Sequence, residues 1–109
     1  MTQTRIDLGD GPLPVAEAVD FQEGGVVSRV LARTGSGSLT AFAFDDGTGL
    51  DEHSSPQTAL VHVVDGRALV TVDGTEHTVE VGEMLHLPAD VPHALHAPER
   101  FRMLLTLFR

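Results

Sequence analysis

The chain has 109 residues, 41% of them hydrophobic, and a formal net charge of -9. A length of this order suits one domain, and all seven basic residues are arginines outnumbered by 16 acids, a balance that repels a phosphate backbone, so no nucleic-acid partner is expected. There is no cysteine, no apolar run of about 18 residues, and no basic-then-apolar start in "MTQTRIDLGDGP", so disulfides, zinc-thiolate sites, a membrane partner and a secretory signal are not expected, and the reading is a soluble cytoplasmic protein.

In chain order, "LPVAEAVDF" near the start reads equally as a short helix or an edge strand. From Val26 the sequence becomes a series of strand-length apolar runs: "VVSRVLART", "SLTAFAFD", "TALVHVV", "RALVTV", "TEHTVEV", "MLHL" and "RFRMLLTLF". They are rich in Val, Thr, Phe and Leu and are separated by Gly-Ser-Gly, Asp-Asp-Gly, Asp-Gly and proline-bearing breaks. Asp73-Gly74 in "VTVDGTEHTV" marks the clearest hairpin, because a tight type I' turn needs positive φ at both central residues. About eighty residues pass without a helical interval, so no helix longer than about three turns is expected. The pattern predicts an all-β protein, an antiparallel sandwich or barrel, and among these a double-sheet jelly roll whose mouth can hold a ligand.

Two stretches carry a more specific signal. In "GTGLDEHSSPQTALVHVVDG", Gly47, His53 and Gly66 fall at the spacings of the first motif of the cupin family, and in "GEMLHLPADVPHALHA", Gly82, Pro88 and His93 fall at those of the second. The chain resembles a small cupin with a degenerate first motif: Ser55 stands where the second histidine belongs, Ala59 where the glutamate belongs, Asp90 for a glycine and Ala97 for an asparagine. The resemblance implies a closed cupin-like β-barrel over about residues 25–108, within one domain of residues 1–109 whose first 24 residues pack on it. It further implies a site for a divalent transition metal such as zinc, manganese, nickel or iron, of whose four usual ligands only His53 and His93 remain.

The other histidines are weighed by strand phase. Residues two apart share a face, so Ala59, Val61 and Val63 form one set and Leu60, His62 and Val64 the other; with the Ala59 set inward, His62 points outward. His77 and His96 read as ordinary, while His86 lines the pocket or sits outside, a choice that phase alone does not make. Ser55 is a poor ligand at neutral pH, and Ala59 brings no charge to offset a cation. Gln57, water, or the nearby Asp51 and Glu52 are the remaining sources of oxygen donors.

The candidate site therefore consists of His53 and His93 as metal ligands with Ser55, Gln57, Ala59 and His86 as pocket residues. Loss of two expected ligands favours a small-molecule-binding module over the alternative, a metal-dependent enzyme of the dioxygenase, isomerase, decarboxylase or lyase type acting on a small organic substrate. The ligand and any reaction stay open, as does enzyme status. A homodimer is expected, because a small jelly roll leaves sheet edges and apolar patches for a two-fold partner to cover.

Overall fold

The computed structural model describes residues 4–109. They form ten strands: β1 (Arg5–Ile6), β2 (Val26–Thr34), β3 (Gly37–Phe44), β4 (Gly49–His53), β5 (Thr58–Asp65), β6 (Arg67–Val72), β7 (Thr75–Glu80), β8 (Met84–Leu87), β9 (His93–His96) and β10 (Phe101–Phe108). The segment that reads equally as helix or strand holds a single 3-10 turn, Val15–Glu17. A six-stranded sheet runs β1-β2-β3-β10-β5-β8 and a four-stranded sheet β4-β9-β6-β7, with every ladder antiparallel.

Period-two alternation builds the core. Ala59, Val61 and Val63 of β5 are buried while Leu60, His62 and Val64 between them are partly exposed. Their inward face meets Ala68 and Val70 of β6, Val79 of β7 and Leu95 of β9 across the sandwich. Phe44 and Phe101, adjacent in the register of β3 and β10, stack at 4.4 Å between ring centres with no exposed surface. Leu85, opposite Val61 in the ladder, is only partly buried and packs at the margin of this core.

The outer face of the large sheet is apolar too, along β2 and β3. Leu31, Ala41 and Ala43 pack there against Ala18 and Val19 of the N-terminal segment. Phe21 is held by two guanidinium groups, that of Arg102 at 4.1 Å from its ring centre and that of Arg100 at 5.0 Å. Arg102 also donates to the Val19 carbonyl (2.8 Å) and the Asp65 carboxylate (2.7 Å). Asp45 accepts from Arg100 and from the Gly24 backbone N–H, both at 2.6 Å.

The expectation of a closed barrel is overturned: no ladder joins the edges β1 and β8 of the large sheet to the edges β4 and β7 of the small one among the described residues. The reason lies in how the chain changes sheets. Between β5 and β6 a single residue, Gly66, turns the backbone across the core at φ +73°, and a Cβ there would collide with the Arg100 carbonyl. β5 and β6 thus lie in opposite sheets, which pack about 10 Å apart, rather than side by side at the roughly 4.8 Å a ladder needs. Exposed Asp51 and Glu52 on β4 and Glu76 and Glu80 on β7 leave the small sheet's open edges charged, which discourages edge-to-edge pairing.

Candidate functional site

His93 begins β9, delivered by a short loop that three backbone bonds fix. Asp90 N–H donates to the Ser55 carbonyl (2.7 Å), Val91 N–H to that of Pro88 (3.3 Å), and Asp73 N–H to that of Pro92 (2.9 Å). Asp90 adopts φ +65°, a left-handed conformation at the position where the motif has glycine, which asparagine and aspartate tolerate best among residues with a Cβ. Its side chain is exposed, so the loop keeps the turn although the glycine is gone.

His53 ends β4, and its orientation comes from an irregularity. Gly49 and Leu50 pair with His96 and Leu95, but the register then shifts so that His53 stands opposite His93. Unbroken pairing would bring His53 opposite Pro92 and, by alternation from the inward Leu50, on the outer face; the extra residue in β4 turns it back to the inner face.

The two rings meet at their Nε2 atoms, 3.1 Å apart, with ring centres 4.4 Å apart and planes at 73°. Each Nδ1 faces a main-chain carbonyl, that of Asp51 for His53 (2.7 Å) and that of Val91 for His93 (3.2 Å). A carbonyl only accepts, so these bonds assign the proton of each neutral ring to Nδ1 and leave both Nε2 lone pairs aimed at one another. Two facing lone pairs need a positive centre between them. Metal–imidazole bonds of about 2.0–2.1 Å would give nitrogen pairs roughly 2.9–3.4 Å apart in octahedral or tetrahedral surroundings, and the observed separation lies in that interval. The Nδ1-to-carbonyl bonds are also the outer contacts that fix ring orientation in histidine metal ligands.

Burial of His93, 7% exposed, pushes its pKa below the ordinary 6.5, and the neighbouring His53 ring pushes it the same way against the opposing Val91 carbonyl. His93 is accordingly neutral, with its lone pair free, at pH 7. The pair opens on a cavity of about 150 Å³, walled by Leu50, Leu87, Leu95, Met103, Leu105 and Leu107 and reached by Ser55 and Ala59. A larger and shallower depression of about 270 Å³ lies beside the β2–β3 turn and the end of β10, but no titratable side chain lines it, so the smaller cavity is the candidate site.

Of the residues singled out in the sequence, His53, His93, Ser55 and Ala59 therefore meet in one place. His86 does not reach it: Leu85 and Leu87 occupy the inward positions of β8, and His86 is exposed on the outer face opposite Leu60. Gln57 is not part of the cavity wall, and its backbone N–H donates to Ser55 Oγ at 3.2 Å. Asp51 and Glu52 are exposed, and among the described residues no third His, Cys, Asp or Glu joins the pair. The apolar wall went unassigned in the sequence, although Met103, Leu105 and Leu107 fall in one phase of "RFRMLLTLF" and so share a face of that strand.

Residues 41–107 match a family model described as cupin domain. A conserved protein of unknown function from Streptococcus pyogenes is 31% identical over 100% of this chain and 96% of its own, with a TM-score of 0.89. A cupin 2 conserved barrel domain protein from Leptotrichia buccalis is 42% identical over 86% of this chain but only 46% of its own length, with a TM-score of 0.83. A cupin superfamily protein from Desulfitobacterium hafniense is 26% identical over 98% of each chain, again with a TM-score of 0.89. No curated protein matches the chain.

Proposed function

The chain belongs to the cupin family, and from that premise we propose that it binds a small organic molecule in the cavity beside His53 and His93, where the two imidazoles hold a divalent transition metal weakly. One observation carries this reading: two Nε2 atoms 3.1 Å apart, each on a ring whose Nδ1 is committed to a carbonyl. The apolar wall supports a binding role. It offers no carboxylate, phenol or thiol, so proton transfer within the cavity would fall to His53 and His93, the groups that also hold the ion. A bound ion would supply Lewis acidity towards a ligand oxygen, while Ser55 offers a hydroxyl for orientation and the leucines exclude water.

Calorimetric titration of metal-free protein with zinc, manganese, nickel and iron(II) tests the site. One site per chain is expected, readily stripped by chelator and lost in both His53→Ala and His93→Ala. Variants that bind as tightly as the parent would rule the pair out.

We further propose a cytoplasmic homodimer. No described helix is long and apolar enough to cross a membrane. The outer face of β5 and β8 presents half-buried Leu60 and His62 and a Met84 that is 59% exposed, at the border of the part of the large sheet that the N-terminal segment packs on. That surface supports pairing with a second copy, and a monomeric mass by light scattering at every concentration would refute it.

A further inference from the structure

A single row of side chains crosses the large sheet from the cavity to an open edge. Leu87, Ala59 and Leu107 line the cavity and stand directly opposite one another on β8, β5 and β10. The same row continues from Leu107 to Ser38 on β3, to Arg33 on β2 and to Arg5 on β1. Residues directly opposite in an antiparallel ladder share a face, so both arginines belong to the cavity's own side of the sheet. Ladder spacing of about 4.8 Å puts Arg33 roughly 10 Å from Leu107 and Arg5 one step further. Both are exposed, and no ladder joins β1 to the small sheet among the described residues, so the row ends at an open rim.

This placement is unfavourable for the fold alone. Like charges directly opposite one another destabilise a ladder, and a chain with 16 acids has ample means to neutralise them. Yet the ion pairs of the described residues engage Arg29, Arg67, Arg100 and Arg102, and neither Arg5 nor Arg33. Asp51 and Glu52 on β4 are exposed and join none of these pairs. Resting on the reading of the cavity as a small-molecule site, and not on any metal, we propose that Arg5 and Arg33 form an anion-binding rim for it. The ligand is then a small aliphatic carboxylate, with its hydrocarbon among the leucines and its charged end on the guanidinium pair.

Each part of such a molecule has a counterpart. The planar fork of a guanidinium matches a carboxylate, and Ser38, between Arg33 and Leu107 in the row, adds a hydroxyl. Leu105, Leu107 and Met103 take up the alkyl chain, and a volume of about 150 Å³, below the roughly 300–1,000 Å³ of sites for drug-sized ligands, keeps it short. The net charge of -9 disfavours polyanions, so a single carboxylate is the anion that fits.

The test uses octanoate, with octanol as the uncharged control and acetate as the control without a chain, in calorimetric titrations of chelator-treated protein. Octanoate is expected to bind about tenfold tighter than octanol, and acetate not to bind. Arg33→Ala and Arg5→Ala, both at exposed positions, should each weaken octanoate by about fivefold and leave octanol unchanged. Added salt should weaken octanoate in the parent but not in the double variant. In NMR spectra the Met103 methyl signal, inside the cavity, should shift with octanoate, while that of exposed Met84 stays in place. If octanoate and octanol bind the parent alike, or if the arginine variants weaken both equally, the rim has no role in recognition and the inference is overturned while the cavity reading stands. Binding that leaves the Met103 signal unmoved would place the chain outside the cavity and overturn it too. If neither octanoate nor octanol binds the parent, the cavity reading fails for aliphatic ligands and the inference falls with it.

Discussion

Two polar clusters sit in this sandwich, and they differ in how completely their groups are paired. Around Phe21, Arg102 meets a carbonyl, a carboxylate and an aromatic face, while the Asp45 carboxylate meets a backbone N–H and Arg100. Both guanidinium groups there donate to acceptors, each carboxylate meets an arginine, and the cluster fastens the N-terminal segment to the sheet. Between His53 and His93 the two Nε2 atoms are both acceptors whenever both rings are neutral, their protons being on Nδ1. A fold gains nothing from aiming lone pairs at one another, so the incompletely paired cluster is the one suited to receiving something from outside.

The sharpest way to measure the cost of a polar group without a partner is to insert one where neither cluster can reach. Val63 has no exposed surface, and Val63→Asp should cost several kcal/mol in urea unfolding, since burial leaves its charge uncompensated. A variant as stable as the parent would break the assignment of inner and outer faces on β5.

Removing a paired group should cost less. Arg102→Ala deletes two hydrogen bonds and the contact with Phe21, and a loss of about 2 kcal/mol is expected. His53→Ala, at an exposed strand end, should change stability by less than about 0.5 kcal/mol while abolishing nickel binding. Equal destabilisation by the two substitutions would erase the distinction between a structural and a functional cluster.

Acid should separate the clusters again. The folded-state pKa of His93 lies below the ordinary 6.5, so the unfolded chain takes up the proton first; its contribution is fully present above pH 6.5 and is lost as pH falls through the lowered value. The Gly24 N–H foremost, and then Arg100, hold the Asp45 carboxyl below its ordinary 3.8, so that contribution is present above pH 3.8 and is lost only in stronger acid. Stability measured against pH should show two declines, the upper one absent in His93→Gln and the lower one reduced in Asp45→Asn. A curve unchanged by either substitution would refute the assignment.

The smallest effect concerns the loop that delivers His93. Asp90→Gly removes a Cβ from a φ +65° position at some cost in chain entropy, so a net gain of about 0.5 kcal/mol is expected in urea unfolding, with the Ser55 carbonyl bond intact. A loss of stability would mean that the Asp90 side chain contributes more to the loop than its backbone angle suggests.

Much of the architecture was legible because local rules govern it. Alternation in "TALVHVV" assigns Ala59, Val61 and Val63 to the core, and Asp73-Gly74 adopts φ values of +49° and +80° as a type I' turn requires. Motif spacing marked His53 and His93 as a pair, and the resemblance it carried agrees with the family match. The clamp on Phe21 was not legible, since Arg102 lies 81 residues from it in the chain and an arginine's spacing does not name its partner. Nor was closure: whether strands meet edge to edge or face to face depends on where the chain crosses the core, which in this molecule is the single residue Gly66. His86 followed strand phase outward once Leu87 was fixed inside, but which phase was buried depended on β5 beside it. The orientation of His53 depended most on tertiary structure. Sequence periodicity carries no mark of a bulge, because the bulge exists only as a mismatch between β4 and its partner β9, and that one-residue slip puts the imidazole beside His93 instead of in solvent.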